Sequence, residues 1–223
     1  AMVSKAYGKA RADRIDQGRA HPGVAAGSLP EEGGDTTYLS VVDRSGNMVS
    51  LIQSNFANFG SCLVPSGTGF ALQNRGGLFT LDPAHPNHVA PRKRPLHTII
   101  PGFMRRGDVS VAFGIMGGWN QAQAHAQFVS NVVDHGMNVQ AALEAARFTK
   151  LTFAGRDVII ENRIPDRVRE QLALRGHELD VHGAFSSMVG GGQSVMCRAS
   201  TGMKGGGSDP RKDGAAIPEP MGW

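Results

Sequence analysis

Thr36 and Thr37 are the residues of this sequence best suited to covalent chemistry, and they directly follow Gly-Gly-Asp. Threonine is common in strands because its β-branched side chain suits a pleated surface, so an ordinary strand is one interpretation. The other is that the peptide bond between Asp35 and Thr36 is cut. Thr36 would then have a free α-amine, whose ordinary pKa of about 7.7–8.0 suits a general base at neutral pH. One residue would supply both nucleophile and base.

Two further features would complete such a site. Ser54 stands near the end of the next expected strand, where its hydroxyl could orient that of Thr36. Gly117 and Gly118 lie between a strand-like stretch, VAFGIM, and a helix-like stretch, NQAQAHAQFV. Unpaired N–H groups and the helix dipole at such a junction can form an oxyanion hole, which two glycines would let a substrate approach closely. A tight strand-to-helix turn explains the same glycines equally well.

Metal and phosphate chemistry have little support in the sequence. His85, His88 and His97 match no usual metal-ligand spacing, so we predict no metal site. The glycine runs 190–192 and 205–207 match no phosphate-binding pattern. We expect the first run to be a turn and the second to belong to a loose tail.

The bulk composition indicates one globular domain. The chain has 223 residues, a hydrophobic content of 40% and a formal net charge of +4. No apolar run approaches the length of about 18 residues that a membrane helix needs, and the polar, basic start shows no signal-peptide pattern. Basic runs such as 92–94 have no interleaved aromatic residues, so nucleic-acid binding is not expected. Cys62 and Cys197 show no CxxC spacing and are either free or packed, with a disulfide left open.

The elements that must position these residues follow from hydrophobic periodicity and turn residues. Hairpins come first, then two consecutive helices, then strands, which predicts an α+β fold with an antiparallel sheet under a helical layer. Residues 20–35 are expected to form an exposed linker. The expected strands are 37–43, 48–54, 69–73, 98–104, 109–115, 157–161, 178–182 and 193–198, and the expected helices are 5–19, 121–135, 139–148 and 165–175.

Seven stretches in this order resemble the catalytic small subunit of the γ-glutamyltranspeptidase family, which includes glutathione hydrolases and related acylases. The resemblance covers residues 36–223, and residues 1–35 look like the end of a large subunit. The stretches are DTTYLSVVDRSGN at 35–47, FGS at 59–61, GTGFALQNRG at 67–76, RKRPLHTIIP at 92–101, GIMGGWNQAQ at 114–123, ALEAARF at 142–148 and GSDPR at 207–211.

The resemblance implies an N-terminal-nucleophile hydrolase fold, in which two stacked antiparallel sheets lie between helical layers (αββα). It implies a precursor that cuts itself between Asp35 and Thr36 and works as a heterodimer with a large subunit largely absent from this chain. Thr36 then matches the nucleophile, Thr37 matches the second threonine of the family's pair, which supports the new N-terminus, and Ser54 stands where the family has an orienting threonine. No cofactor is implied.

The resemblance also assigns the oxyanion hole to Gly117 and Gly118. The acyl site departs from the family pattern. Members that bind a γ-glutamyl group hold its α-amine with Asn-Gln-x-x-Asp, whereas this sequence has Arg75 in place of the glutamine and Leu78 in place of the acid. A buried cation repels an ammonium group and favours a carboxylate. A structural salt bridge is the alternative role for Arg75.

The family's Ser-Ser pair for the α-carboxylate is His97-Thr98 here, and both residues could still bind an anion. The sequence therefore predicts an amidohydrolase or acyltransferase acting on γ-glutamyl or similar small-molecule acyl amides. One alternative is an acylase specific for dicarboxylic acyl groups, of the glutaryl, cephalosporin or oxamate type. Another is an uncleaved, non-catalytic fragment or subunit. Family members are often periplasmic or secreted, but the sequence leaves the compartment open.

Overall fold

A computed structural model describes residues 5–13, 15–20, 34–152 and 154–219 of the chain. This part contains four α-helices, nine β-strands and two short 3₁₀ helices. The helices are α1 (Lys5–Ala12), α2 (Asn120–Val133), α3 (Val139–Glu144) and α4 (Asp166–Leu174). The strands are β1 (Gly34–Val42), β2 (Met48–Ala57), β3 (Gly102–Arg106), β4 (Val109–Ile115), β5 (Phe148–Thr149), β6 (Asp157–Glu161), β7 (Glu178–His182), β8 (Gly192–Arg198) and β9 (Met203–Ser208). The 3₁₀ helices are Arg75–Leu78 and Ser187–Val189.

The strands of the described residues form three sheets. β1 and β2 pair as an antiparallel hairpin, and the second sheet is fully antiparallel in the order β3-β4-β8-β9. The third sheet has the order β5-β6-β7, and its β6-β7 pair is parallel because α4 connects the two strands. The first two sheets carry the candidate site.

The β1-β2 hairpin packs face to face on the four-stranded sheet. Tyr38 of β1 is buried and lies so close to β4 that a Cβ added to Gly114 would stand 2.4 Å from its ring. Ala112 of β4 is fully buried, and as a residue two positions before Gly114 it shares that face of the strand. Small residues on this face of β4 let the two sheets approach closely, so the two sheets form two stacked layers.

The opposite face of β4 packs against a helical layer. Val111, Phe113 and Ile115 point to this side and form one core cluster with α2 and α3. Phe113 stacks on Phe128 of α2 with their ring centroids 4.8 Å apart. The alternation of small and large residues along β4 therefore serves two interfaces, which explains why the strand is buried on both faces.

The outer face of the β1-β2 hairpin is apolar and exposed. Four residues that alternate along the two strands, Leu39, Val41, Val49 and Leu51, keep between 42% and 51% of their surface accessible. The described residues thus build a sheet–sheet–helix arrangement. No described helix covers the hairpin's outer face, and no described helix is long and apolar enough to span a membrane.

The α+β expectation is confirmed, and most expected strands and helices agree with the structure within a few residues. Three expectations are wrong. The helix expected at 5–19 ends at Ala12, residues 69–73 form no strand, and residues 205–207 lie inside β9 instead of a loose tail. Glycine disfavours strands, but these residues are paired with β8, so tertiary pairing overrides the local preference. Of the expected linker, residues 21–33 lie outside the described residues, and β1 already begins at Gly34 and continues through position 36.

Candidate active site

The hydroxyl group of Thr36 is held by the neighbouring strand. Thr36 lies opposite Ser54 in the β1-β2 register, and its Oγ1 donates a hydrogen bond to Ser54 Oγ at 2.9 Å. The same serine oxygen accepts the backbone N–H of Phe56 at 2.9 Å. Ser54 is thus fixed from a second side, and the structure brings together the two residues expected to form the nucleophile and its orienting hydroxyl.

A β-bulge lies across from the Asp35–Thr36 peptide bond. Asp35 pairs with Phe56 while Thr36 pairs with Ser54, so Asn55 of β2 is the extra residue. Phe56 has a φ of 77°, a left-handed conformation that is rare for a bulky side chain. Thr37 points to the other face of β1, is exposed and pairs with Gln53, so its side chain does not join that of Thr36.

Gly117 and Gly118 form the turn between β4 and α2. Their φ values of 132° and 55° lie where L-residues with a side chain are rare. Their carbonyl groups accept the N–H groups of Asn120 and Gln121, at 3.0 Å and 3.2 Å, and close the first turn of the helix. In the part of the chain that the structure describes, neither glycine N–H has an acceptor. A Cβ on Gly118 would meet nothing within 4 Å, so this side of the turn is open.

Thr36 and the glycine turn lie towards the same end of the stacked sheets. Ser50 pairs with Ser40 and contacts the carbonyl oxygen of Phe113 at 3.5 Å, whereas Tyr38 packs on Gly114. Moving forward along β4 therefore corresponds to moving backward along β1, from position 40 towards position 36. Gly117 and Gly118, which follow β4, lie in the direction of Thr36.

The turn at Gly117 and Gly118 packs against a second glycine segment, residues 190–192. Met116 N–H donates to the carbonyl oxygen of Gly191 at 2.9 Å, and a Cβ on Gly190 would stand 2.0 Å from the carbonyl oxygen of Met116. Asn120 is fully buried next to both segments, and neither atom of its amide group has a hydrogen-bond partner among the described residues. The 190–192 run therefore provides close backbone packing, and its last residue begins β8 instead of belonging to the turn that the sequence predicts.

Buried charged side chains hold the 190–192 segment in place. Arg147 donates through Nη1 to the carbonyl oxygens of Val189, at 3.0 Å, and Gly190, at 3.3 Å, and forms an ion pair with Asp209. Asp209 also pairs with Arg211 at 3.0 Å, and Arg211 binds both oxygens of Glu161. All four charged side chains are almost completely inaccessible. Sequence reasoning missed this network, although Arg147 lies in the ALEAARF stretch and Asp209 and Arg211 lie in the GSDPR stretch.

Arg75 and Thr98 form a buried pair close to Phe56. Arg75 is 1% exposed and donates through Nη1 to Thr98 Oγ1 at 2.8 Å. Its guanidinium carbon lies 4.6 Å from the centroid of the Phe56 ring. No carboxylate of the described residues forms an ion pair with Arg75, and its Nη2 has no hydrogen-bond partner among them. The structural salt bridge considered as an alternative role is thus not found in this part of the chain.

His97 and Leu78 border this pair. The His97 side chain is exposed overall, but the partial loss of water around its ring, followed by the charges of Arg75 and Arg94, lowers its pKa. Leu78 is buried at the end of the 3₁₀ helix that Arg75 begins, so an apolar side chain occupies the position at which the family pattern has an acid. The described residues contain no group of three or more His, Cys, Asp or Glu side chains placed to hold a metal ion, and Cys62 and Cys197 are free thiols.

Comparison with known proteins decides the family. Residues 1–219 match the γ-glutamyltranspeptidase family. The chain belongs to this family. It is 34% identical over 220 residues to the glutathione hydrolase-like YwrD proenzyme of Bacillus subtilis (strain 168), covering 97% of this chain and 41% of that protein. It is 36% identical over 209 residues to the oxamate amidohydrolase proenzyme of Klebsiella pneumoniae, covering 92% of this chain and 39% of that protein.

A solved acylase structure confirms the fold. The cephalosporin acylase from Bacillus halodurans is 41% identical and superimposes with a TM-score of 0.81, over 96% of this chain and 38% of that chain. The N-terminal-nucleophile hydrolase fold expected from the resemblance is therefore confirmed. This chain spans about two fifths of the curated relatives it matches, which are longer proenzymes.

Proposed function

We propose that this chain carries the catalytic residues of a γ-glutamyltranspeptidase-family amidohydrolase or acyltransferase whose nucleophile is Thr36. The hydrogen bond from Thr36 Oγ1 to Ser54 Oγ carries the proposal, because it orients the hydroxyl before any cleavage has occurred. Gly117 and Gly118 supply N–H groups without acceptors towards the same end of the sheets. Nucleophile, orienting hydroxyl and oxyanion donors are the parts that acyl transfer through a covalent intermediate requires.

The first reaction is self-cleavage of the chain. Thr36 Oγ1 attacks the carbonyl carbon of Asp35, its proton passes to the leaving nitrogen of Thr36, and the peptide bond becomes an ester. Water then hydrolyses this ester, which releases the carboxylate of Asp35 and leaves Thr36 with a free α-amine. The bulge at Asn55 supports this step, because it interrupts the regular pairing of β1 with β2 at the bond to be cut.

The second reaction uses the new N-terminus. The α-amine takes the proton of Thr36 Oγ1 while this oxygen attacks the amide carbon of the substrate, and Gly117 and Gly118 donate to the developing oxyanion. The amine then passes the proton to the leaving nitrogen, and the acyl group stays on Thr36 as an ester. Water or an acceptor amine releases the acyl group and restores the enzyme.

The acyl group carries a terminal carboxylate and lacks an α-amine. A buried guanidinium without an ion-pair partner costs free energy, and a carboxylate from the substrate removes this cost. Thr98 Oγ1 accepts a hydrogen bond from Nη1 of Arg75, and Nη2 stays available for the ligand. The buried Leu78 offers no acceptor to an ammonium group. Amides of short dicarboxylic acids fit this site better than γ-glutamyl amides.

The partner is a large subunit from the same precursor. Its role is to cover the apolar outer face of the β1-β2 hairpin, formed by Leu39, Val41, Val49 and Leu51. The curated relatives are proenzymes with more than twice the length matched here, which supports a second part of this kind. A helical layer on that face would complete the αββα arrangement.

Intact-mass spectrometry of the complete protein, including the region preceding this chain, tests the mechanism. We expect two products, one ending at Asp35 and one beginning at Thr36. Thr36→Ala removes the nucleophile and should leave a single uncut chain, whereas Thr37→Ala, which faces away from Ser54, should still be cut. An uncut wild-type protein without activity on any acyl anilide would instead support a non-catalytic subunit.

Initial rates with N-glutaryl and γ-glutamyl p-nitroanilide test the substrate class. The two compounds differ only in the α-amine, so the ratio of their kcat/KM values measures the effect of that amine. We expect kcat/KM to favour the glutaryl compound, and Arg75→Gln to reduce that preference at least tenfold, since the repulsion between the guanidinium and the α-ammonium group is lost. A wild-type preference for the γ-glutamyl compound would contradict the role assigned to Arg75 and leave that of Thr36 intact.

A further inference from the structure

Phe56 connects the nucleophile to the acyl site. We propose that it is a specificity-determining position, because its ring positions the Arg75 guanidinium to accept a single carboxylate of the acyl group. The inference rests on the proposed function, since it concerns the substrate of the same site. It adds a residue that neither the sequence motifs nor the comparisons assign.

The backbone of Phe56 is fixed by the nucleophile side of the site. Its N–H donates to Ser54 Oγ, which also accepts from Thr36 Oγ1. Its φ of 77° reverses the ordinary strand geometry directly after the bulge residue Asn55. A bulky side chain in this conformation costs free energy and persists only where the surroundings impose it. The direction of the ring is therefore coupled to the position of the Thr36 hydroxyl.

The ring of Phe56 in turn supports Arg75. A guanidinium carbon 4.6 Å from the ring centroid lies within the range of a cation–π contact, and burial strengthens this attraction. The ring and Thr98 together fix the side chain of Arg75, one through its face and the other through Nη1. Nη2 is left without a partner among the described residues. A fixed guanidinium loses less conformational entropy when a ligand binds, so affinity for a carboxylate increases.

The aromatic ring also defines what the acyl site excludes. A phenyl group has no hydrogen-bond acceptor other than its π face, and that face is occupied by Arg75. An ammonium group on the acyl chain would meet the Arg75 charge without an anionic partner. The distance from the nucleophile to the carboxylate is set by the short path from Thr36 through Ser54 and Phe56 to Arg75. The site therefore suits a short acyl chain with one negative charge.

Four variants of the complete protein separate the ring from the backbone. Phe56→Leu removes the aromatic face but keeps an apolar side chain, and Phe56→Asn also removes it while tolerating the left-handed φ better than leucine does. Phe56→Tyr keeps the aromatic face and serves as the conservative rescue. Phe70→Leu makes the same phenylalanine-to-leucine change at an exposed loop position and is the matched control.

The measurement is kcat and KM of each protein for N-glutaryl and N-pentanoyl p-nitroanilide, two acyl chains of equal length with and without the carboxylate. We expect the glutaryl-to-pentanoyl ratio of kcat/KM to fall about tenfold in both Phe56→Leu and Phe56→Asn, mainly through a higher KM for the glutaryl compound. Phe56→Tyr should stay within about twofold of the wild type. Phe70→Leu should leave the ratio unchanged.

The outcomes separate this inference from the proposed function. A fall only in Phe56→Leu would assign the effect to backbone strain and overturn the role of the ring, as would equal losses for both substrates. If Arg75→Gln lowers the ratio and neither ring-removing variant does, the acyl site stands and the inference about Phe56 is wrong. If the wild-type protein is cut and shows no preference for the carboxylate, both assignments in the acyl site fail while Thr36 keeps its role.

Discussion

Asp209→Asn should destabilise the fold strongly, because Asp209 is the acceptor at the centre of the buried charge network. One carboxylate oxygen accepts from the backbone N–H and Nη1 of Arg211, each at 3.0 Å. The other accepts from Arg147 and from the N–H of Gly192, the latter at 3.2 Å. Asparagine has the same shape, but its NH₂ group must face one of these two donor pairs. The substitution also leaves Glu161 as the single anion of the cluster.

The magnitude follows from the burial of the partners. Breaking a buried ion pair by neutralising one member costs about 3–5 kcal/mol, because the remaining charges lose their compensation. The stability of a domain is only about 5–15 kcal/mol, so the loss is a large fraction of the total. With a urea m-value near the upper end of the usual range, about 3 kcal/mol per M, the unfolding midpoint should fall by about 1–2 M.

Equilibrium unfolding in urea, followed by circular dichroism on the complete protein, measures this shift. The matched control is Asp213→Asn, which makes the same change at an exposed site and should stay within about 0.5 kcal/mol of the wild type. A midpoint for Asp209→Asn as close to the wild type as that of the control would refute the reasoning. Such a result would mean that the buried guanidinium groups find other acceptors.

Two further predictions concern the segment around the glycine turn. His125 accepts the N–H at the end of β4 at 2.9 Å, and burial lowers its pKa to about 4. As the pH falls, the unfolded chain therefore protonates this histidine before the folded chain does. About 3 kcal/mol of stability should be present above about pH 6.5 and lost towards pH 4. The urea midpoints of His125→Gln should lack this part of the pH dependence. Gly190→Ala places a Cβ against the carbonyl oxygen of Met116 and should lower kcat at least tenfold by moving the proposed oxyanion donors. Gly202→Ala, with a similar positive φ but no atom within 4 Å of the added Cβ, should leave kcat unchanged.

Local sequence patterns were sufficient for the elements that carry the site. The alternation of residues along β1 and β2 gave the hairpin, and its register places Thr36 opposite Ser54 as expected. The two glycines between β4 and α2 adopt the positive φ values that such a turn requires. These features depend on neighbouring residues and on one short hairpin, so periodicity and turn chemistry predict them.

The parts that sequence reasoning missed depend on distant contacts. Nothing in the residues around Phe56 indicates a positive φ, because the conformation follows from the bulge opposite Asp35. Arg147 and Asp209 are 62 positions apart, and only the tertiary fold shows that they support Gly190. The glycines of β9 have a poor strand preference, and they form a strand because the neighbouring strand β8 pairs with them. In each case a tertiary interaction decides the structure, and a local pattern cannot report it.

The pairing of β1 suggests how the proposed self-cleavage and the proposed substrate binding could use one site in succession. In the uncut chain, Gly34 and Asp35 pair with Ala57 and Phe56, so the segment before Thr36 lies beside the residue that stacks on Arg75. If the bond before Thr36 is cut as proposed, this segment stays attached to β2 through only two residue pairs. Its departure would open space beside Phe56 while the Thr36–Ser54 contact, which lies on the other side of the cut, is retained.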